Sequence, residues 1–197
     1  MIVGMRVDVA TGLLTGVEVR QVLSPHFDAR PGNAVPELIV VHGISLPPGE
    51  FGGPWIDMLF TGDLSPEAHP YFREITGPGR RVSAHVLIRR EGRVAQFVPF
   101  GARAWHAGQS EYRGRPACND FSIGIELEGA DDVPYTDAQY DQLAEVVREL
   151  LVGYPLLSAT HIAGHSDIAQ GRKTDPGPAF DWGRFRGSLA DSRPASR

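Results

Sequence analysis

Four consecutive apolar residues, Leu38-Ile39-Val40-Val41, follow a proline two positions earlier and run directly into His42. A short run without polar alternation reads as a strand buried on both faces, the pattern of a central strand in a layered α/β domain. In open α/β sheets sites gather at strand ends, so an imidazole at the last position of this strand is a candidate site residue. A second strand is predicted over 121–128. Phe121, Ile123, Ile125 and Leu127 share one of its faces, and Gly124, Glu126 and Glu128 share the other. Residues 82–90 and 93–98 alternate around Glu91-Gly92 and predict a hairpin with a tight turn.

The clearest helix signal covers 137–152. Thr136 and Gln139 form a T-x-x-Q capping box, and Tyr140, Leu143, Ala144, Val147, Leu150 and Leu151 make one apolar stripe, stopped by Gly153 and Pro155. Shorter helices are expected over 54–60, closed by Gly62, over 65–75, limited by Pro70, and from Asp181 to the C-terminal region. Residues 8–33 read as a strand or two with an irregular arm, 46–53 as a Pro/Gly loop, and the tail from Ser192 as frayed. No repeat or linker-like stretch interrupts the chain. The expectation is one α/β domain across residues 1–197, with a central mixed sheet flanked by helices and a core over about 16–186.

The chain has 197 residues, of which 42% are hydrophobic, enough for a real core. Its 23 glycines and 16 prolines imply many turns and long ordered loops. A net charge of −5 leaves no basic excess to neutralise a phosphate backbone, so no nucleic-acid partner is expected. No apolar run approaches the ~20 residues of a membrane helix, and the charged start does not read as a secretory signal. The single cysteine, Cys118, excludes an internal disulfide framework and a thiolate-rich zinc knuckle. These features point to a cytoplasmic domain whose chemistry rests on histidines and carboxylates.

Seven histidines are present, and context raises two of them. His42 ends the buried strand, and His165 opens G-H-S-D-I-A-Q-G-R-K-T-D-P-G-P, a long loop dense in polar anchors. A catalytic zinc needs three protein ligands and an open position for water. His42, His165 and Asp175 would supply two imidazoles and one carboxylate, which suits that ion. Local sequence leaves alternatives open. Asp175 before Pro176 also fits a turn-initiating residue, Lys173 a solvated loop lysine, and Glu126 and Glu128 the wet face of an edge strand.

A further set of stretches bears on this choice. V-V-H-G-I-S-L-P-P-G-E-F-G-G-P-W, H-P-Y-F-R, R-V-S-A-H, A-W-H-A-G, C-N-D-F-S-I-G-I-E-L-E-G, Y-T-D-A-Q-Y and G-H-S-D-I-A-Q-G-R-K-T-D-P-G-P-A-F-D-W are colinear with the amidase-2 family. The chain resembles that family from about Gly16 to Arg186, above all its branch of cytoplasmic zinc amidases in bacterial cell-wall recycling. Phage T7-type lysozyme and the peptidoglycan recognition proteins belong to the same family. The resemblance implies His42, His165 and Asp175 as zinc ligands, Glu126 as the acid/base carboxylate and Lys173 as the oxyanion stabiliser. It also implies Arg81, Trp105 and His106 as substrate-binding residues. Strand alternation does not separate Glu126 from Glu128; only the resemblance favours Glu126. Three positions depart from the family's usual residues: Gly43 stands for Asn, Ala117 for Arg and Ser166 for Cys. The first two bear on muropeptide recognition rather than on the hydrolytic centre.

The activity implied is zinc-dependent hydrolysis of the amide between the lactyl group of 1,6-anhydro-N-acetylmuramic acid and L-alanine. The expected partner is a small muropeptide, with no membrane, nucleic acid or obligate protein partner. An influence on β-lactamase induction follows by resemblance. Two other readings stand beside it: a peptidoglycan-binding module of the same fold without zinc, and an α/β scaffold whose polar loop merely caps the sheet.

Overall fold

The structure, a computed structural model, describes residues 4–16, 19–77 and 79–190. The tail expected to fray from Ser192 lies outside the described residues. At the centre is a six-stranded sheet of β1 (Val19–Gln21), β2 (Leu38–Ile44), β3 (Val86–Ile88), β4 (Val94–Gln96), β5 (Ser122–Glu128) and β6 (Ile162–Gly164). The spatial order is β6-β2-β5-β3-β4-β1. Strands β6, β2, β5 and β3 run parallel, and β3 turns back into β4 through an antiparallel hairpin. Gly92 closes that hairpin with φ +87°, a left-handed conformation that suits glycine.

Continuous apolar sequence and central position go together here. Every residue of β5 is buried, and so are Leu38 to His42 of β2. The expectation that β2 stops at His42 needs correction, because the ladder continues through Ile44 with Glu126 opposite His42 and Glu128 opposite Ile44. A polar residue need not end a buried strand when the neighbouring strand and loops supply polar partners. Glu126 and Glu128 lie on this central strand, not on the wet face of an edge strand.

Helix α3 (Asp137–Gly153) opens with both capping-box bonds. Thr136 Oγ1 accepts from the Gln139 amide at 3.2 Å, and the Thr136 amide donates to Gln139 Oε1 at 3.1 Å. Helix α1 (Trp55–Thr61) ends at Gly62, with φ +83°. Helix α2 (Pro70–Ile75) starts later than the sequence suggested. Pro70 opens it rather than limiting it, since a first-turn residue needs no N–H, and the His69 ring caps it by accepting from the Tyr71 amide at 3.2 Å. One helical turn, α4 (His165–Ile168), interrupts the expected loop, and α5 (Trp182–Ala190) closes the described chain.

These helices divide the two sheet faces. Leu143, Val146, Val147 and Leu150 of α3, with Phe185 of α5, pack on Ile39, Val41, Val86, Ile88, Ile123, Ile125 and Leu127. On the other face α1 and α2 bring Ile56, Phe60 and Phe72 onto Leu87, Ala95 and Phe97. They cover only the β3–β4 half. The β2–β5 half of that face carries His42, Gly124 and Glu126 toward its C-terminal end, while Leu38 and Val40 before them join a small apolar cluster with Ala107, Cys118 and Ile168.

Beneath that half lies His85, fully buried. Its Nδ1 accepts from the Gly124 amide at 3.0 Å and its Nε2 donates to the Ala102 carbonyl at 3.2 Å, which requires the neutral ring. Burial, with the Arg30 guanidinium beside it, lowers its pKa to about 3. An unfolded chain therefore takes up a proton near the ordinary value of about 6.5 that the folded chain refuses until about pH 3. Stability falls as pH drops through this window, by about 1.4 kcal/mol per pH unit from this one residue. Urea denaturation from pH 7 to pH 4 should show His85→Asn less stable at pH 7 but with an acid slope shallower by about one proton. An unchanged slope would contradict the assignment.

Candidate metal centre

Strand register lines up the site. His42 and Glu126 are direct neighbours across β2 and β5, and Gly164 sits opposite Val41, so His165, the next residue, arrives beside His42. Asp175 reaches the same point from the far end of the loop that His165 opens. His42 Nδ1 lies 3.0 Å from His165 Nδ1 and 3.2 Å from Asp175 Oδ2, and His165 Nδ1 lies 3.1 Å from that oxygen. Both imidazoles are buried, with exposures of 1% and 4%, and Asp175 is half-buried.

This triangle fits a metal ion. Ligand atoms on a tetrahedral zinc at ~2.0–2.1 Å stand ~3.3 Å apart, close to all three separations seen here. Among the described residues, these three form the group of histidine and carboxylate donors able to converge on one cation. Burial works against the Asp175 carboxylate, but its contacts with His165 and His42 outweigh it and hold its pKa well below the usual range. Burial likewise lowers the His42 pKa to about 4. Asp175 and His42 thus stand in the deprotonated form that binds metal.

The outer ring nitrogens are held as well. His165 Nε2 lies 3.1 Å from the Ala107 carbonyl, which can only accept, so its proton is on Nε2 and Nδ1 keeps its lone pair. His42 Nε2 lies 2.9 Å from His106 Nδ1, and His106 Nε2 lies 3.2 Å from Ser122 Oγ. The chain that bares His42 Nδ1 runs from His42 Nε2–H to His106 and on to Ser122. Burial, then the neighbouring His42 and His85, keeps the His106 pKa well below the ordinary imidazole value, so it can accept. Gly124 makes room: a Cβ on that residue would overlap the His106 ring.

The structure separates the two glutamates that alternation left equivalent. Glu128, 1% exposed, accepts from Arg89 Nη1 at 2.8 Å and from the Gly52 amide at 2.7 Å. Arg89 also bonds the Gly53 carbonyl at 3.0 Å and Asp57 at 2.9 Å. Glu128 is therefore spent on fastening the Pro/Gly loop. Glu126 is buried beside the triangle, and its Oε2 has no hydrogen-bond partner among the described residues. Burial, reinforced by the charge of Asp175 and opposed by Lys173, raises its pKa well above the usual carboxylate range. Such a carboxyl is suited to proton transfer.

The donors and Glu126 open onto a cavity of about 630 Å³, walled by the 46–49 loop, Tyr71, Arg80, Asp131 and Lys173. His106 also lines it. Arg81 is exposed and faces a smaller cavity of about 280 Å³, next to His26. Trp105 stacks on His26 at 6.5 Å and donates from Nε1 to Asp28 at 3.2 Å, so its ring is engaged away from the metal donors. Ala117 is exposed with φ +60°, and Gly43 faces the cavity where a Cβ would meet the Tyr135 hydroxyl. Sequence reasoning did not single out Arg80 and Arg172, which also line the cavity. Neither carries a periodic or spacing signal; each reaches the cavity through where its loop folds back.

The N-acetylmuramoyl-L-alanine amidase family (Amidase_2) matches residues 32–178. The chain is 65% identical over 170 residues to 1,6-anhydro-N-acetylmuramyl-L-alanine amidase AmpD of Escherichia coli (strain K12), covering 86% of this chain and 91% of the relative. A crystal structure of a selenomethionine AmpD derivative superposes with a TM-score of 0.86 at 61% identity, over 91% of this chain and 97% of that one. A complex of the amidase AmiD from E. coli with its substrate anhydro-N-acetylmuramic acid-L-Ala-D-γ-Glu-L-Lys superposes with a TM-score of 0.57 at 27% identity, over 82% of this chain and 60% of that one.

The two glutamates should respond oppositely to neutralisation. Glu128→Gln breaks a buried pair and is expected to cost about 3–5 kcal/mol. Glu126→Gln removes an unpartnered buried carboxyl and should leave the metal-free protein within about 1 kcal/mol of wild type, or more stable. Urea melts of both variants in chelator measure this, and equal destabilisation would contradict the division of labour.

Proposed function

Because this chain belongs to the N-acetylmuramoyl-L-alanine amidase family, we propose that it hydrolyses the lactyl–L-alanine amide of 1,6-anhydromuropeptides in cell-wall recycling, using one zinc ion. The observation that carries this reading is the triangle of His42, His165 and Asp175 beside a buried, unpartnered Glu126 carboxyl. Identity of 65% to a relative named for this activity supports the substrate class, as does the AmiD complex with an anhydromuropeptide. The catalytic unit is one amidase domain with its core over about 16–186.

His42, His165 and Asp175 would hold the zinc. When bound, the ion supplies Lewis acidity that polarises the scissile carbonyl and brings the pKa of a water toward ~7. Glu126 takes the proton of the attacking water on its free oxygen and returns it to the departing alanine nitrogen. Burial, which raises its pKa well above the usual carboxylate range, favours the protonated form that the second transfer needs. Lys173 on the cavity wall opposes the negative charge that develops on the carbonyl oxygen. Water attacks the carbonyl carbon, the C–N bond breaks, and the products are 1,6-anhydro-N-acetylmuramic acid and a free peptide.

Arg81, Trp105 and His106 enter this reading as substrate-binding residues, and for His106 the position on the cavity wall supports it. No helix among the described residues is long and apolar enough to cross a membrane. A cytoplasmic site of action is part of the proposal, since the lone cysteine, Cys118, is buried and free, as suits a reducing compartment.

Incubation with an anhydromuropeptide and mass analysis of products tests the reading. Zinc-loaded wild type should release the anhydro sugar and intact peptide. Lys173→Ala should lose about 10²–10³ in kcat, the scale for one lost oxyanion partner. Cleavage of intact murein alone would overturn the recycling substrate. Muropeptide binding without turnover at full zinc occupancy would favour a binding module.

A further inference from the structure

We infer that Asn119 is a positioning residue for the metal centre, clamping the one backbone turn that orients both imidazole ligands. This rests on the metal reading above and extends it to a side chain that touches none of the three donors.

The two outer acceptors belong to adjacent residues. His106 receives the outer nitrogen of His42, and the Ala107 carbonyl receives that of His165. Asn119 Oδ1 accepts from the backbone amides of those same residues, at 3.1 Å from His106 and 2.8 Å from Ala107. One carboxamide oxygen thus fixes the turn that presents both acceptors. The clamp is itself anchored. Asn119 sits in a single 3-10 turn (Cys118–Asp120), where Arg30 Nη1 bonds the Asn119 and Asp120 carbonyls at 3.1 Å each. The Cys118 amide donates to Ser110 Oγ at 3.1 Å. Arg172, between the second and third donors, closes the circuit by donating to the Ala107 carbonyl at 2.6 Å.

An imidazole ligand rotates about its χ2 torsion unless its outer nitrogen is held, and the held nitrogen also selects the tautomer. Most outer acceptors serve one ligand. Here the turn serves two, so loosening it disturbs both together. Removing Asn119 leaves two amides without their acceptor, and the turn shifts to find others.

Chelator competition with zinc on the full-length protein reads this directly. Asn119→Ala should bind zinc about 10–100-fold more weakly than wild type, the scale for a lost outer partner. Asn119→Asp keeps an acceptor oxygen in the same place and should bind within about threefold of wild type. In the cobalt-substituted protein the visible ligand-field band should shift for Asn119→Ala and not for Asn119→Asp, a change that a purely structural role would not produce. If the alanine variant does not fold, Asn119→Ser, with a shorter acceptor, should show an intermediate loss. Wild-type affinity and an unshifted band in the alanine or serine variant would overturn the inference while leaving the metal reading intact. Zinc binding by wild type no tighter than by His42→Ala would overturn both.

Discussion

Two imidazoles and a carboxylate stand within 3.2 Å of one another near the C-terminal end of a buried parallel strand. Nothing in ordinary core packing favours that arrangement. Burial lowers the pKa of His42, and Asp175 loses hydration with only two ring nitrogens for compensation. A cation equidistant from all three would convert this crowding into coordination, and the surroundings are consistent with that use. Outer nitrogens are committed to acceptors on one turn, which leaves the inner lone pairs aimed at a common point.

The sheet makes the convergence possible. Parallel pairing places residues near the C-terminal ends of neighbouring strands side by side, so His42, Glu126 and the residue after β6 form a row across three strands. One face is closed by α3 and α5. The other is covered by α1 and α2 over half its width, and the remaining half holds a small apolar cluster at Leu38 and Val40 and polar side chains beyond it. Gly124 belongs to this logic. In a strand where Ile123, Ile125, Glu126, Leu127 and Glu128 all carry sizeable side chains, a missing one at Gly124 lets the His106 ring lie against the sheet. Glu128, two residues beyond Glu126, faces the same side yet serves the loop through Arg89 and Gly52. Equal orientation along a strand does not confer equal chemistry; the partners on the neighbouring elements decide it.

Much of this was legible in the residues. The run at Leu38 marked a central strand, the capping box at Thr136 fixed the start of α3, and the turn at Glu91-Gly92 set the hairpin. These signals are local, and local signals survive into the fold. The start of α2 was misread because Pro70 can end a helix or open one, and only the His69 cap decides between them. Within the site, His42 and His165 stood out by context, whereas strand alternation could not tell Glu126 from Glu128 and only the family resemblance favoured Glu126. Asn119 and Arg172 were invisible. Their roles depend on hydrogen bonds to residues 12 and 65 positions away in the chain, and no periodicity encodes such a closure.

The proposed hydrolysis requires His42, His165 and Asp175 to meet at one metal ion. Anomalous diffraction at the zinc absorption edge, from crystals grown with the metal, tests this most directly. The expected result is a single peak about 2.0–2.2 Å from His42 Nδ1, His165 Nδ1 and an Asp175 oxygen. A peak bound elsewhere, or one reached through only one of these residues, would contradict it.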